Sequence, residues 1–140
     1  MMRDFHNNIE LRAAIAPQNE TGTSAVVSSI IDLANYTGVE FLIATGSLAD
    51  SDATFTVLVE DGDNSSLTDN ASVADAYLLG TETGAAITFA DDNEIRKIGY
   101  IGPKRYVRLT ITPAANNGDA YLSAVAVLWG ARKLPRSSQT

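Results

Sequence analysis

The sequence contains no cysteine and a single histidine, His6. The lack of cysteine excludes a disulfide framework, a thiolate metal site and a cysteine nucleophile. One histidine near the N-terminus argues against both a Ser-His-Asp triad and a zinc site, because these need imidazole or thiolate groups held in a folded core. A phosphate-binding glycine loop and a G-x-S-x-G motif are also missing. We therefore expect a protein that is not an enzyme and has no cofactor.

Long apolar runs are absent as well. No stretch approaches the roughly 18 consecutive apolar residues of a membrane-spanning helix. The first ten residues, MMRDFHNNIE, lack the apolar segment of a signal peptide. We expect no membrane partner and no export by the usual secretory route.

Basic residues are missing between Arg12 and Arg96, a stretch that holds most of the acidic side chains, whereas the last third of the chain is basic. A basic segment can mark nucleic-acid binding. Alternatively, strands from both parts interleave and pair their charges on one surface. The net charge of −7 favours the second interpretation, because phosphate backbones would repel the protein. We expect no nucleic-acid partner.

Residues 39–60 show the strongest structural pattern. Apolar β-branched and aromatic residues alternate with other residues on both sides of a polar segment rich in Gly, Ser and Asp. This alternation predicts two half-buried strands that face each other across a turn.

The remaining pattern is that of short strands joined by polar turns. Strands are predicted at 24–33, 77–80, 86–90, 94–101, 105–112 and 120–130, a strand or ordered arm at 9–16, and one or two helical turns at 69–76 capped by Asp69. The predicted fold is all-β, a jelly-roll-like β-sandwich of about eight antiparallel strands with at most one short helix. We divide the chain into an N-terminal arm (1–16), a β-sandwich domain (17–130) and a flexible basic tail (131–140).

The last predicted strand is apolar on both faces. One face carries Tyr121, Val125, Val127 and Trp129, and the other carries leucines and alanines. A strand of this kind is buried on both faces. One face would meet the opposite sheet, and the other would be covered by an arm, by the short helix or by another subunit.

Acidic residues occur in pairs within predicted turns. A glycosidase would need two carboxylates across a cleft, but aspartate is also a common turn residue. Calcium is the sharper alternative at Asp61 and Asp63, although this segment lacks the glycine and glutamate of an EF-hand loop. We expect turn-forming aspartates and keep Asp61 and Asp63 as weak calcium candidates.

Three stretches resemble small head-associated proteins of tailed bacteriophages: MRDFHNNIELRAAIAP (2–17), ATGSLADSDATFTVLVEDGD (44–63) and FADDNEIRKIGYIGPKRYVRLTITPA (89–114). The resemblance covers residues 2–130 and implies a capsid cement or decoration protein with a jelly-roll fold. It implies binding to the major capsid protein on the outer surface of the virion, after synthesis in the host cytoplasm, and no active site. A homodimer or homotrimer would suit an icosahedral lattice.

We expect the partner contacts to come from the N-terminal arm, from the basic tail, and from an aromatic and basic pair on one outer strand face. These residues are Phe5, His6, Ile9, Leu11, Arg12, Tyr106, Arg108, Arg132, Lys133 and Arg136. Two alternatives stay open: a carbohydrate- or receptor-binding β-sandwich module of the virion, and a tail or neck component.

Overall fold

Two antiparallel β-sheets pack face to face in the computed structural model, which describes residues 4–132. The strands are β1 (Ile9–Glu20), β2 (Val26–Val27), β3 (Ile31–Asp32), β4 (Gly38–Leu48), β5 (Thr54–Gly62), β6 (Ala71–Ser72), β7 (Leu78–Leu79), β8 (Ile87–Thr88), β9 (Ile95–Tyr100), β10 (Tyr106–Ala114) and β11 (Ala120–Trp129). Helical segments are short: α1 (Glu82–Ala85) and the 3₁₀ turns His6–Asn8 and Asp75–Tyr77.

The first sheet has the strand order β1-β11-β4-β9-β7. The second has the order β2-β10-β5-β6, with β3 also beside β10 and β8 beside β5. The chain passes from one sheet to the other at most connections, which is the path of a jelly roll. The predicted all-β sandwich with at most one short α-helix is thus confirmed.

The core forms where inward-facing residues of the two sheets meet. Phe41 and Ile43 of β4 lie opposite the sheet that contributes Phe55 and Val59 of β5, and all four side chains are fully buried. The alternation in residues 39–60 therefore predicted the strands correctly. They face each other across the core from different sheets and are not hydrogen-bonded as a hairpin.

The helix predicted at 69–76 is wrong. Ala71–Ser72 is a strand paired with β5, and only Asp75–Tyr77 forms a 3₁₀ turn. Asp69 does not cap a helix. Its carboxylate accepts the backbone N–H groups of Asp63 (2.8 Å) and Asn64 (3.2 Å) and so closes the loop after β5. The α-helix lies instead at Glu82–Ala85, within a predicted turn.

The single strand predicted at 24–33 is divided into β2 and β3, which both pair with β10. Between them, the amide of Ser29 donates to the carbonyl of Ala14 (2.9 Å) and its hydroxyl donates to that of Ala13 (2.8 Å). Because Ala13 and Ala14 belong to β1, this break ties the edge of the first sheet to the second.

Residues 9–16, assigned to an arm from the sequence, are part of β1. Ile9–Ala13 pair in regular register with Trp129–Val125 of β11, and register shifts follow between Ala13 and Gln18. Among the contact residues predicted in the arm, Phe5 and His6 precede the sheet, and the others lie in β1.

Candidate docking surfaces

The outer face of the first sheet is apolar. We call it the apolar face and define it by Leu11, Ala13, Leu42, Ala44, Leu79, Ile95, Tyr121, Val125, Val127 and Trp129, which cross-strand register places on one side of the sheet. Val125 is 41% exposed and Ile95 is 68% exposed. The prediction that β11 is apolar on both faces is confirmed, but within residues 4–132 neither an arm nor a helix covers the outer one. Contiguous exposed apolar surface of this kind marks interaction sites.

Glycines on this face leave room for large neighbouring side chains to lie flat against the sheet. A Cβ on Gly38 would come within 2.8 Å of the Trp129 ring, and one on Gly46 within 3.0 Å of the Tyr121 Cβ. Glu40 likewise lies over Gly99. The result is a smooth surface, suited to packing against another flat surface.

Two charged residues, Glu40 and Lys97, sit among these apolar side chains. Glu40 faces Gly99 across the strands and Lys97 faces Leu42. Partial burial raises the pKa of Glu40, and the Lys97 charge offsets this in part. No salt bridge joins the two side chains in the described part of the chain.

The outer face of the second sheet is more polar, with threonines along β5 and β10. Two sequence-predicted partner residues lie here. Arg108 pairs with Glu60 (3.2 Å), and Tyr106 lies under the guanidinium of Arg105 (5.1 Å to the ring centre). Both are therefore already engaged within the domain.

The first strand starts and the last strand stops at the same end of the sandwich. Ile9 at the start of β1 is paired with Trp129 at the end of β11. We call this the terminal end. It carries a depression of about 580 Å³ whose lining includes Lys104, Arg105 and Arg132.

Several sequence-predicted contact residues converge at the terminal end. Phe5 is 59% exposed beside the start of β1, and His6 is also exposed. Arg12 pairs with the buried Glu10. Arg132 donates its backbone N–H to the Asn35 carbonyl (2.9 Å). Lys133 and Arg136 lie outside the described residues.

Ion pairs at this end join the acidic middle of the chain to its basic last third. Arg105 makes two 2.9 Å contacts with Asp32 and holds the pKa of that carboxyl below its ordinary value. Lys104 pairs with Asp63 at 2.6 Å. The predicted interleaving of charges is thus confirmed.

The calcium candidates have different partners. Asp61 is buried and accepts a 2.7 Å hydrogen bond from the Tyr100 hydroxyl, whereas Asp63 pairs with Lys104. In the described part of the chain, no group of three or more acidic or histidine side chains is arranged to hold a metal ion.

The opposite end of the sandwich is built from acidic turns. Asp50 accepts the Asn117 amide (2.6 Å), Asp92 accepts the Leu48 amide (3.1 Å), and Asp91 accepts the amide of Thr88 (2.8 Å). These aspartates hold loops, as expected for turn residues.

A groove of about 420 Å³ opens beside Tyr121 on the first sheet. Gln18, Asn19, Thr45 and Ser123 contribute polar side chains to its lining. The sequence pattern did not predict this groove. The groove lies where the register of β11 with β1 and with β4 is shifted, and register between strands cannot be read from one strand alone.

No helix within residues 4–132 is long and apolar enough to cross a membrane. No family model matches the chain. No curated protein sequence is significantly similar to it.

Several solved structures have a similar fold. The PBSX exported protein XepA superposes with a TM-score of 0.56 at 13% identity, over 93% of this chain and 40% of XepA. The SPBc2 prophage-derived protein YomS gives 0.48 at 12% identity, over 86% of this chain and 93% of YomS. A xylan-binding domain of carbohydrate-binding family 22 gives 0.44 at 11% identity, over 94% of this chain and 93% of that domain. This chain thus spans less than half of XepA. At 13% identity the likeness to XepA shows the fold alone, a β-sandwich.

Proposed function

We propose that this protein is a structural component of a tailed-phage virion that binds the outside of the capsid through its terminal end. The observation that carries the proposal is the pairing of Ile9 with Trp129, which brings the start of β1 and the end of β11 to the same end of the sandwich. The segments that precede β1 and follow β11 in the chain can then contact one partner at the same time.

The chemistry of the terminal end supports a protein partner. Phe5 offers an exposed aromatic ring, and Lys104, Arg105 and Arg132 line the neighbouring depression. Aromatic and arginine side chains are enriched at protein interfaces. The fold shared with XepA, a protein named for PBSX, agrees with a phage origin.

A decoration protein acts by mass action. Copies that bind only the assembled shell shift the equilibrium away from disassembly, by an amount that grows with free protein concentration. This role needs a stable domain and a contact surface, and it needs no catalytic group.

The proposal is tested by co-sedimentation of the purified chain with empty heads of the phage that encodes it, followed by cryo-electron microscopy. We expect regular density outside the shell with the terminal end facing inward. Combining Phe5→Ser with Arg132→Glu should lower the apparent affinity at least tenfold. Ser51→Glu, an added charge at the opposite end, should bind like the wild type.

Two results would overturn the proposal. One is the absence of binding to heads, or density confined to the tail or neck. The other is unchanged binding of the double variant, with circular dichroism showing that it is folded.

A second candidate function is carbohydrate binding in the Tyr121 groove. The Tyr121 ring is 46% exposed, so a sugar ring can stack on it, and the exposed Gln18 amide in the lining can form hydrogen bonds with that sugar. The side chains of Asn19 and Thr45 already form hydrogen bonds within the domain. A glycan array tests this candidate. Tyr121→Ala should abolish any signal, whereas Tyr77→Ala, which removes a ring of similar exposure outside the groove, should keep it. A wild-type protein that binds no glycan contradicts the candidate.

A further inference from the structure

We propose that the apolar face is a homodimer interface, on which two copies of this chain pack sheet against sheet around a two-fold axis. This inference goes beyond the proposed function and does not depend on capsid binding. A second copy of the chain would cover the outer face of β11, where Tyr121 and Val125 are more than two-fifths exposed in the single chain.

The sheet edges are poorly suited to self-association. On the long edge strand β1, Glu10 points inward and is 3% exposed, Pro17 interrupts the hydrogen-bonding edge, and register shifts follow Ala13. The other edge of the first sheet is β7, which has two residues. Inward charges, proline, bulges and short edge strands are devices that block edge-to-edge pairing.

The outer face of the second sheet is also a poor candidate. Its charged residues Arg108 and Glu60 pair with each other, and hydroxyl groups are presented by its exposed threonines Thr54, Thr56 and Thr112. Burial of the apolar face therefore brings a larger hydrophobic gain than burial of these charged and hydroxyl groups.

Charge complementarity favours a second copy as the occupant. The face presents one acidic and one basic residue, Glu40 and Lys97, and they are offset by two positions along neighbouring strands. Consider a two-fold axis in the plane of the interface that passes midway between these residues and is perpendicular to the line joining them. This axis places each Glu40 opposite Lys97 of the partner subunit. Two reciprocal ion pairs then form from a single complementary pair, as a two-fold interface requires.

The area is compatible with a dimer. Three of the five strands have 10 to 12 residues, whereas β9 has six and β7 has two. At about 3.4 Å per residue and about 4.8 Å between strands, the face covers roughly 600 to 700 Å² per copy. Roughly 1,200 Å² in total lies at the lower limit of specific interfaces. We therefore expect a dimer whose population depends on concentration.

Sedimentation equilibrium of the full chain tests this inference from micromolar to several hundred micromolar protein. The mass should rise toward twice the monomer value of 14.8 kDa. Val125→Glu places a charge in the centre of the face and should keep the protein monomeric throughout. Thr112→Glu, the same kind of change on the outer face of the other sheet, should associate like the wild type.

Charge exchange tests the geometry. Glu40→Lys and Lys97→Glu each create like-charge contacts across the axis and should weaken association at least tenfold. The double variant restores opposite charges and should recover most of the wild-type constant. Circular dichroism establishes that each variant is folded.

A wild-type protein that stays monomeric at all these concentrations overturns the inference, whatever its capsid binding. A dimer that persists in folded Val125→Glu, or a double variant no better than the single ones, overturns the face or the pairing. Capsid binding measured on the same variants keeps this outcome separate from that of the proposed function.

Discussion

The hydroxyl of Tyr100 donates a 2.7 Å hydrogen bond to the carboxylate of Asp61. Tyr100 belongs to β9 in the first sheet, and Asp61 belongs to β5 in the second. The same hydroxyl oxygen accepts the backbone N–H of Lys104 at 3.0 Å. Burial and the neighbouring Asp61 raise the pKa of Tyr100, so the phenol stays protonated at physiological pH. This contact joins the two sheets through a polar link near the terminal end.

Removing this link should destabilise the fold. Tyr100→Phe keeps the ring but leaves the buried Asp61 carboxylate and the Lys104 amide without this partner. We expect a loss of about 1–3 kcal/mol in the free energy of unfolding. Urea denaturation measures it, with Tyr106→Phe as the control because no hydrogen bond of the Tyr106 hydroxyl is found in the described structure. Equal stability of the two variants would contradict this role for the contact.

Gly38 is expected to tolerate no side chain. A Cβ there would lie 2.5 Å from the Tyr100 carbonyl oxygen and 2.8 Å from the Trp129 ring. Gly38→Ala should cost about 1–3 kcal/mol, the usual range for overpacking. At Gly22 the nearest atom to a Cβ is 3.6 Å away, so Gly22→Ala should be close to neutral. Thermal melts of both variants check the difference, and a neutral Gly38→Ala would show that both the Tyr100 backbone and the Trp129 ring adjust at little cost.

Asp91 should contribute stability that is lost in acid. The Thr88 amide and hydroxyl, together with Arg96, hold the pKa of Asp91 below its ordinary value of 3.8. The pKa of Asp91 is lower in the folded state than in the unfolded state. Its contribution to stability is therefore complete above the unfolded-state pKa and disappears as the pH falls from there to the folded-state pKa. Asp91→Asn should therefore cost about 1 kcal/mol at pH 7 and progressively less toward pH 3.

Chemical denaturation at a series of pH values measures this trend. Asp75→Asn is the control, because no hydrogen bond of the Asp75 carboxylate is found in the described structure. A stability difference between wild type and Asp91→Asn that is the same at pH 7 and pH 3 would contradict the linkage.

Calcium should not stabilise the protein. The Asp61 carboxylate is occupied by Tyr100 and the Asp63 carboxylate by Lys104, so a cation would have to break both contacts. We expect the same melting temperature in millimolar calcium and in chelator. A rise with calcium that Asp63→Asn removes would show that the loop rearranges into a site.

The long strands could be predicted from the sequence because each carries its own period-2 alternation of apolar residues. The short elements could not. Asp69 has the chemistry of a helix cap, yet its carboxylate is used by the amides of Asp63 and Asn64 in a loop. Residues 24–33 read as one strand, but Ser29 turns toward β1 of the other sheet. At Asp69 the loop after β5 offered hydrogen bonds that compete with a helix cap, and at Ser29 a hydrogen bond to the other sheet outweighed a weak local preference.

The candidate contact residues stay a prediction, because their arrangement depends on tertiary structure. The pairing of β1 with β11 places the residues just before β1 and just after β11 at one end of the sandwich, a fact that local patterns do not encode. Arg108 was predicted as a contact residue from its exposed strand position, but its pairing with Glu60 depends on the register of β10 with β5.

The sequence by itself determined the fold class, the lack of any thiolate ligand, and the second apolar face of β11. These follow from residue types and from periodicity along a single strand. Tertiary structure alone decided which strands share a sheet, that β1 starts at the same end of the sandwich where β11 stops, and that Tyr121 and Val125 stay exposed on an apolar face that also carries Glu40 and Lys97. Those properties depend on contacts between residues far apart in the chain, whose geometry is set when two sheets pack around one core.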